Sequence, residues 1–149
     1  MLGKSVVGER HPLFVGLYEG AMGRSEVTQF VEQSDLVLLL GAFMTDINLG
    51  IFTANLDPGR CIYATSEQLR IHHHHYHRVP LKMFIQQLIR RQPRTPERPI
   101  PAELRPQPDD FRLEPDAPIA ITRLMRRLNQ QIDEQTVVIA DIGIWLCAK

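Results

Sequence analysis

An excess of charge of either sign is missing from this chain, since seventeen Lys and Arg stand against seventeen Asp and Glu in 149 residues. With no net field to hold a nucleic-acid backbone or an anionic lipid surface, neither partner is expected. Long apolar runs are missing too. No stretch reaches the ~18 continuous apolar residues of a membrane helix, and the N-terminus lacks the apolar core of a signal peptide, so a cytoplasmic address is the default. Cysteine is scarce. Cys61 and Cys147 lie far apart, which argues against a disulfide framework or a zinc ribbon, and Cys61 reads as a small buried hydrophobe within a strand pattern. Motifs of chemistry are absent as well: there is no G-x-S-x-G, no H-E-x-x-H and no G-x-x-x-x-G-K-[ST], and Gly16, Gly20 and Gly23 lack the G-x-G-x-x-G spacing. The sequence therefore names no catalytic residue.

What is present reads as alternating strands and helices. Ser25 can cap a short helix with Val27, Phe30 and Val31 on one face. "LVLLLGAF" at residues 36–43 is apolar throughout, the pattern of a strand covered on both faces in a parallel sheet. After the turn signal "DPGR" (residues 57–60) comes a second strand, "CIYA". Leu81, Phe84, Ile85, Leu88 and Ile89 follow helical spacing, with Pro80 suited to the first turn and Arg90 and Arg91 to the C-terminal dipole. Pro93, Pro96, Pro99, Pro101, Pro106 and Pro108 then mark an extended linker. Beyond it, Ile121, Leu124, Met125, Leu128 and Ile132 suggest another amphipathic helix, and "TVVIAD" (residues 136–141) another buried strand. The predicted fold class is α/β, a three-layer sandwich with a mainly parallel sheet. It is incomplete, because roughly thirty residues beyond the linker are too few to enclose a core.

Two stretches could carry chemistry. The run "IHHHHYH" (residues 71–77), read as a strand, would place His73, His75 and His77 on one face and His72, His74 and Tyr76 on the other. Three imidazoles can hold a zinc or nickel ion. No carboxylate is placed nearby to orient the rings, so the expected role is structural and no native metal site is assigned. The glycine-bounded loop "GAFMTDINLG" (residues 41–50) directly follows the most apolar strand, where α/β sheets bind ligands, and backbone amides beside Gly41 could meet a phosphate. The loop holds no lysine. Its structural alternative is a turn in which Gly41 and Gly50 supply positive φ while Asp46 and Asn48 tie down the backbone.

The segments "LGKSVVGERHPLFVGLYEGAMG", "SDLVLLLGAFMTDINLGIFT" and "VVIADIG", joined in this order by a Pro-rich linker, resemble the thiamine diphosphate-dependent 2-oxo acid decarboxylases. The resemblance implies a Rossmann-like central domain at residues 1–92 lacking its first strands, a linker at 93–117, and the start of a diphosphate-binding domain at 118–149. It implies thiamine diphosphate and Mg2+ as cofactors of the full-length parent, a 2-oxo acid as its substrate, and a homo-oligomer, dimer or tetramer. Within this chain only Asp141 and Gly143 would approach the cofactor, and Ile144 stands where the family usually carries an acid or a small polar residue. The family's activating glutamate, paired histidines and metal motif belong to parts of the protein outside this sequence. The isolated chain is thus expected to be a non-catalytic scaffold that binds no cofactor. The alternatives are a nucleotide module for ADP or FAD at Gly41, or a module that self-associates through an unpaired sheet edge.

Overall fold

The computed structural model describes residues 6–9, 11–94, 99–105, 111–133 and 135–139. They divide into two compact units, residues 1–105 and 106–149.

The first unit holds a four-stranded sheet in the order β1 (Val37–Leu40), β2 (Cys61–Ala64), β3 (Gln68–Ile71), β4 (His74–His77). The β1 and β2 strands run parallel, with Leu38 beside Ile62 and Leu40 beside Ala64. The β2–β3 and β3–β4 pairs are antiparallel. The α/β class stands, but among the described residues the sheet is mixed where a mainly parallel one was expected. The connections explain this. Three residues separate β2 from β3 and two separate β3 from β4. Links that short can only fold a strand back on its neighbour, whereas a parallel return needs a crossover of a dozen or more residues. The long segment 41–60 provides such a crossover between β1 and β2.

Both faces of the sheet carry buried side chains. Cys61 lies on one face, and Ala64 and Leu69 lie on the other. Burial is weaker at β1, where Leu38 and Leu40 remain 44% and 43% exposed. The expectation of a strand covered on both faces thus fails at β1, which is an edge strand among the described residues. Regular pairing is also shorter than the apolar run 36–43, because Gly41 at φ 64° turns the chain out of the ladder directly after Leu40.

Helix α1 (Ser25–Glu32) buries Val27 and begins one residue earlier than the capping argument places it. Arg24 takes the N-cap position, Ser25 is already helical, and no side chain caps the helix. A 3₁₀ turn at Ala102–Leu104 returns to α1: Leu104 is fully buried, and the Arg24 guanidinium donates to the Glu103 carbonyl at 2.7 Å. Helix α2 (Leu81–Arg91) matches the predicted periodicity, with Pro80 as its N-cap and Gln92 closing it in the left-handed conformation. Asp57 accepts from Gly59 N at 2.8 Å, fixing the predicted "DPGR" turn.

In the second unit, α3 (Ile121–Gln131) forms where the spacing predicts it and buries Met125. Phe111 lies under the guanidinium groups of Arg123 and Arg127, at 5.2 and 5.8 Å from the ring centre. The strand predicted from residue 136 onward is not formed at residues 136–139, where Val137 and Ile139 are 82% and 93% exposed. A strand has no internal hydrogen bonds, and no described strand of this unit lies beside it. Ala140 and Asp141 of that prediction lie outside the described residues.

Candidate functional site

The one loop that sequence reasoning marked for ligand binding does border a cavity. At the C-terminal end of β1 the chain leaves the sheet at Gly41, whose amide still donates to the Ala64 carbonyl at 2.8 Å. A cavity of about 380 Å3 opens there, lined by Gly41 together with Tyr18, Leu39, Leu40, Phe43, Met44 and Leu49. No Lys, Arg, Asp, Glu or His lines it.

The loop ties up most of its own polar groups, but Asn48 Oδ1 is buried with no hydrogen-bond partner among the described residues. Asp46 Oδ1 accepts from Ile47 N at 2.8 Å, and Asn48 donates its side-chain amide to the Phe43 carbonyl at 2.6 Å, the tying-down role foreseen for these two residues. The amides of Thr45, Asn48, Leu49 and Gly50 are likewise taken up by Phe43 O, Thr45 Oγ1, Thr45 O and Ile47 O. A phosphate needs free amides or cations. This lining offers neither a cation nor those amides; it is uncharged and mostly apolar, with the Asn48 side chain as a polar exception.

Behind the cavity, Tyr18 anchors α1 to the loop leading into β2. Its hydroxyl donates to Glu32 Oε1 at 2.8 Å, and the same oxygen accepts from Asn55 N at 2.9 Å. Burial, reinforced by the adjoining Glu32 carboxylate, pushes the Tyr18 hydroxyl well above the ordinary tyrosine range. Cys61 is buried and free, and burial raises its thiol. It packs as the small hydrophobe predicted. Cys147 lies outside the described residues.

The histidine run forms a hairpin, which corrects the two-faced strand expected of it. Ile71 ends β3, His72 and His73 make the two-residue turn, and residues 74–77 form β4. His72 has φ 53°, and its Nδ1 pairs with the Gly59 carbonyl. His75 and His77 keep the alternation, His75 opposite Arg70 and His77 opposite Gln68. Among the described residues, no group of three or more His, Cys, Asp or Glu converges to hold a metal ion.

Asp141 and Gly143, the positions expected to approach a thiamine cofactor, lie outside the described residues. The described residues do not fit that cofactor: the cavity has no cation for a diphosphate and no carboxylate for a bound metal. Sequence reasoning missed Tyr18, which reaches the cavity from a segment distant in sequence, and Leu56, which lies six residues beyond the loop. It also missed Ile51 and Phe52, whose positive φ has no signal in residues that normally avoid it.

Comparison with known proteins identifies the frame into which these features fall. Residues 1–91 match the family described as thiamine pyrophosphate enzyme, central domain. The chain is 28% identical over 144 residues to pyruvate decarboxylase of Candida glabrata, covering 95% of this chain and 25% of that protein. It is 30% identical over 149 residues to pyruvate decarboxylase of Aspergillus fumigatus, covering 97% and 26%. Pyruvate decarboxylase isozyme 2 of Saccharomyces cerevisiae is 32% identical over 88 residues, covering 59% and 16%. The chain thus spans about a quarter of the length of the first two of these relatives.

Proposed function

The chain belongs to the thiamine pyrophosphate enzyme family through its central domain, and we propose that it is the scaffolding portion of a 2-oxo acid decarboxylase. The observation that carries this reading is the pairing of that domain match with a cavity whose described lining holds no Lys, Arg, Asp, Glu or His. On this reading residues 1–92 are the central domain, 93–117 the linker, and 118–149 the start of the diphosphate-binding domain. Asp141 and Gly143 are the positions nearest the cofactor. The parent enzyme uses thiamine diphosphate with Mg2+, acts on a 2-oxo acid in the cytoplasm, and assembles as a homo-oligomer. No reaction step is assigned to residues of this chain. Their work is to hold a sheet between cofactor-binding parts and to present surface for subunit packing.

The test is turnover. The isolated chain with thiamine diphosphate and Mg2+ is expected to release no carbon dioxide from pyruvate, phenylpyruvate or indolepyruvate above the rate without protein. Saturable, chain-dependent release would overturn the scaffolding assignment.

A nucleotide-binding reading draws its support from the position of the cavity beside Gly41 at a strand's C-terminal end. The uncharged lining counts against it. Calorimetric titration with ADP and with FAD is therefore expected to show no saturable heat, and a saturable isotherm lost in Gly41→Val would restore it.

A further inference from the structure

Charge balances over the whole chain but not along it. Residues 68–94 hold six of the seventeen Lys and Arg, five of the six His, and no Asp or Glu. That stretch is the β3–β4 hairpin and helix α2. Its most open part is β4, where every residue from His72 to Arg78 is exposed. A strand exposed on both faces has nothing packed over it.

Strand pairing shows what β4 offers at its open side. Among the described residues it is the last strand of the sheet and pairs with β3 alone. A two-residue turn closes on a hydrogen-bonded pair, here Ile71 with His74, and along an antiparallel ladder such pairs alternate with pairs that exchange no bonds. Leu69 with Tyr76 is therefore bonded, whereas Arg70 with His75 and Gln68 with His77 are not. The flanking bonds agree: Thr65 N donates to the Gln68 carbonyl at 2.8 Å and His72 N to the Cys61 carbonyl at 3.1 Å, so the alternate residues of β3 bond toward β2. His75 and His77 consequently turn their N–H and C=O groups away from β3, and among the described residues no loop or cap takes them up. Their imidazoles share one face, with Arg70 of β3 next to His75. Arg70 lies over the Tyr63 ring at 5.8 Å, and its Nε is buried without a hydrogen-bond partner.

Whatever completes this edge needs both a peptide backbone and negative charge. A nucleic acid has the charge but not the alternating N–H and C=O groups. A second copy of β4 has the backbone but sets basic side chains against their like. An extended acidic peptide has both, and imidazole N–H groups donate to carboxylates even when uncharged. We propose that β4 is a docking edge for an extended acidic peptide segment, which adds an antiparallel strand by bonding to the His75 and His77 backbone and sets carboxylates at alternate positions against their imidazoles and Arg70. None of these residues lines the cavity at the end of β1, and the assignment goes beyond the scaffolding reading.

Fluorescence anisotropy on the full chain tests it, with a labelled peptide of about eight residues alternating Glu and Val as the probe. Saturable binding is expected, together with slower hydrogen exchange at the His75 and His77 amides. The double substitution His75→Glu, His77→Glu is expected to weaken binding about tenfold or more at an unchanged melting temperature, because both side chains are exposed. The same peptide N-methylated at its Glu residues keeps its charge but loses the inward donors, and is expected not to bind. Should the double variant melt lower, the exchange and N-methylation results decide, since both use the unaltered chain. Absence of saturable binding would overturn the proposal. Equal binding of the N-methylated peptide would overturn strand addition and leave only charge attraction, and equal competition by an oligothymidylate would assign the edge to polyanions instead. Self-association abolished by the double substitution would assign it to a second copy.

Discussion

Gly50 is the residue at which the loop 41–53 leaves least room. A Cβ there would collide with the Glu19 carbonyl oxygen and crowd Thr53 Oγ1 at 2.8 Å, and φ is 60° besides. Gly50→Ala must therefore move backbone on one side or the other. A loss of about 3 kcal/mol is expected from the clash and the strained φ together, read from urea unfolding at neutral pH. Nearby, Tyr18 gives the fold a dependence on alkaline pH. Its hydroxyl holds its proton more tightly folded than unfolded, first through burial and then through Glu32. The contribution is complete below the ordinary tyrosine value of about 10 and is lost as pH climbs past it, because the unfolded chain releases that proton first. Unfolding free energy should therefore fall between about pH 10 and 11. Tyr18→Phe should flatten that fall while lowering stability at pH 7, where the bond to Glu32 is missing.

At the scale of elements, pattern predicted what local spacing determines and failed where partners decide. Helices α2 and α3 were legible because Leu81 to Ile89 and Ile121 to Leu128 repeat at helical spacing, and a helix makes its own backbone bonds. Strand β1 was legible as a strand but not as an edge, since "VLLL" reads alike in the middle or at the margin of a sheet. The hairpin of β3 and β4 was hidden because His72 occupies a turn position that favours glycine, and a run of histidines carries no turn signal. His72→Gly tests this: easier turn geometry competes with loss of the contact to the Gly59 carbonyl, and a net change within about 1 kcal/mol is expected by urea unfolding. The candidate site was half legible. Gly41, Asp46 and Asn48 fell where the loop reading placed them, but Tyr18 and Leu56 reach the cavity through tertiary folding, which no spacing records.

At the scale of the molecule, the division at residue 105 governs what the chain can hold folded. All four strands, helices α1 and α2, and the buried Val27, Cys61, Ala64, Leu69 and Leu104 lie in the first unit, whereas Met125 is the only buried hydrophobe described in the second. Among the described residues that second unit has one helix, closed against Phe111 by arginines at its surface, and a segment of that size buries too little apolar area to be stable unaided. Cooperative unfolding should then report the first unit. A shortened chain ending at Arg105 is expected to keep the thermal transition of the full chain within about 3 °C, a shift worth less than 1 kcal/mol for a domain of this size. The same argument makes Leu104 the residue that closes the unit against α1. In the full chain Leu104→Ala is expected to cost about 3 kcal/mol as a filled site becomes a cavity, and circular dichroism melting should show it as a drop of more than 10 °C. A shortened chain that melted far below the full one would mean that the residues after Arg105 complete the core, and the scaffolding role would then have to be assigned to both units together.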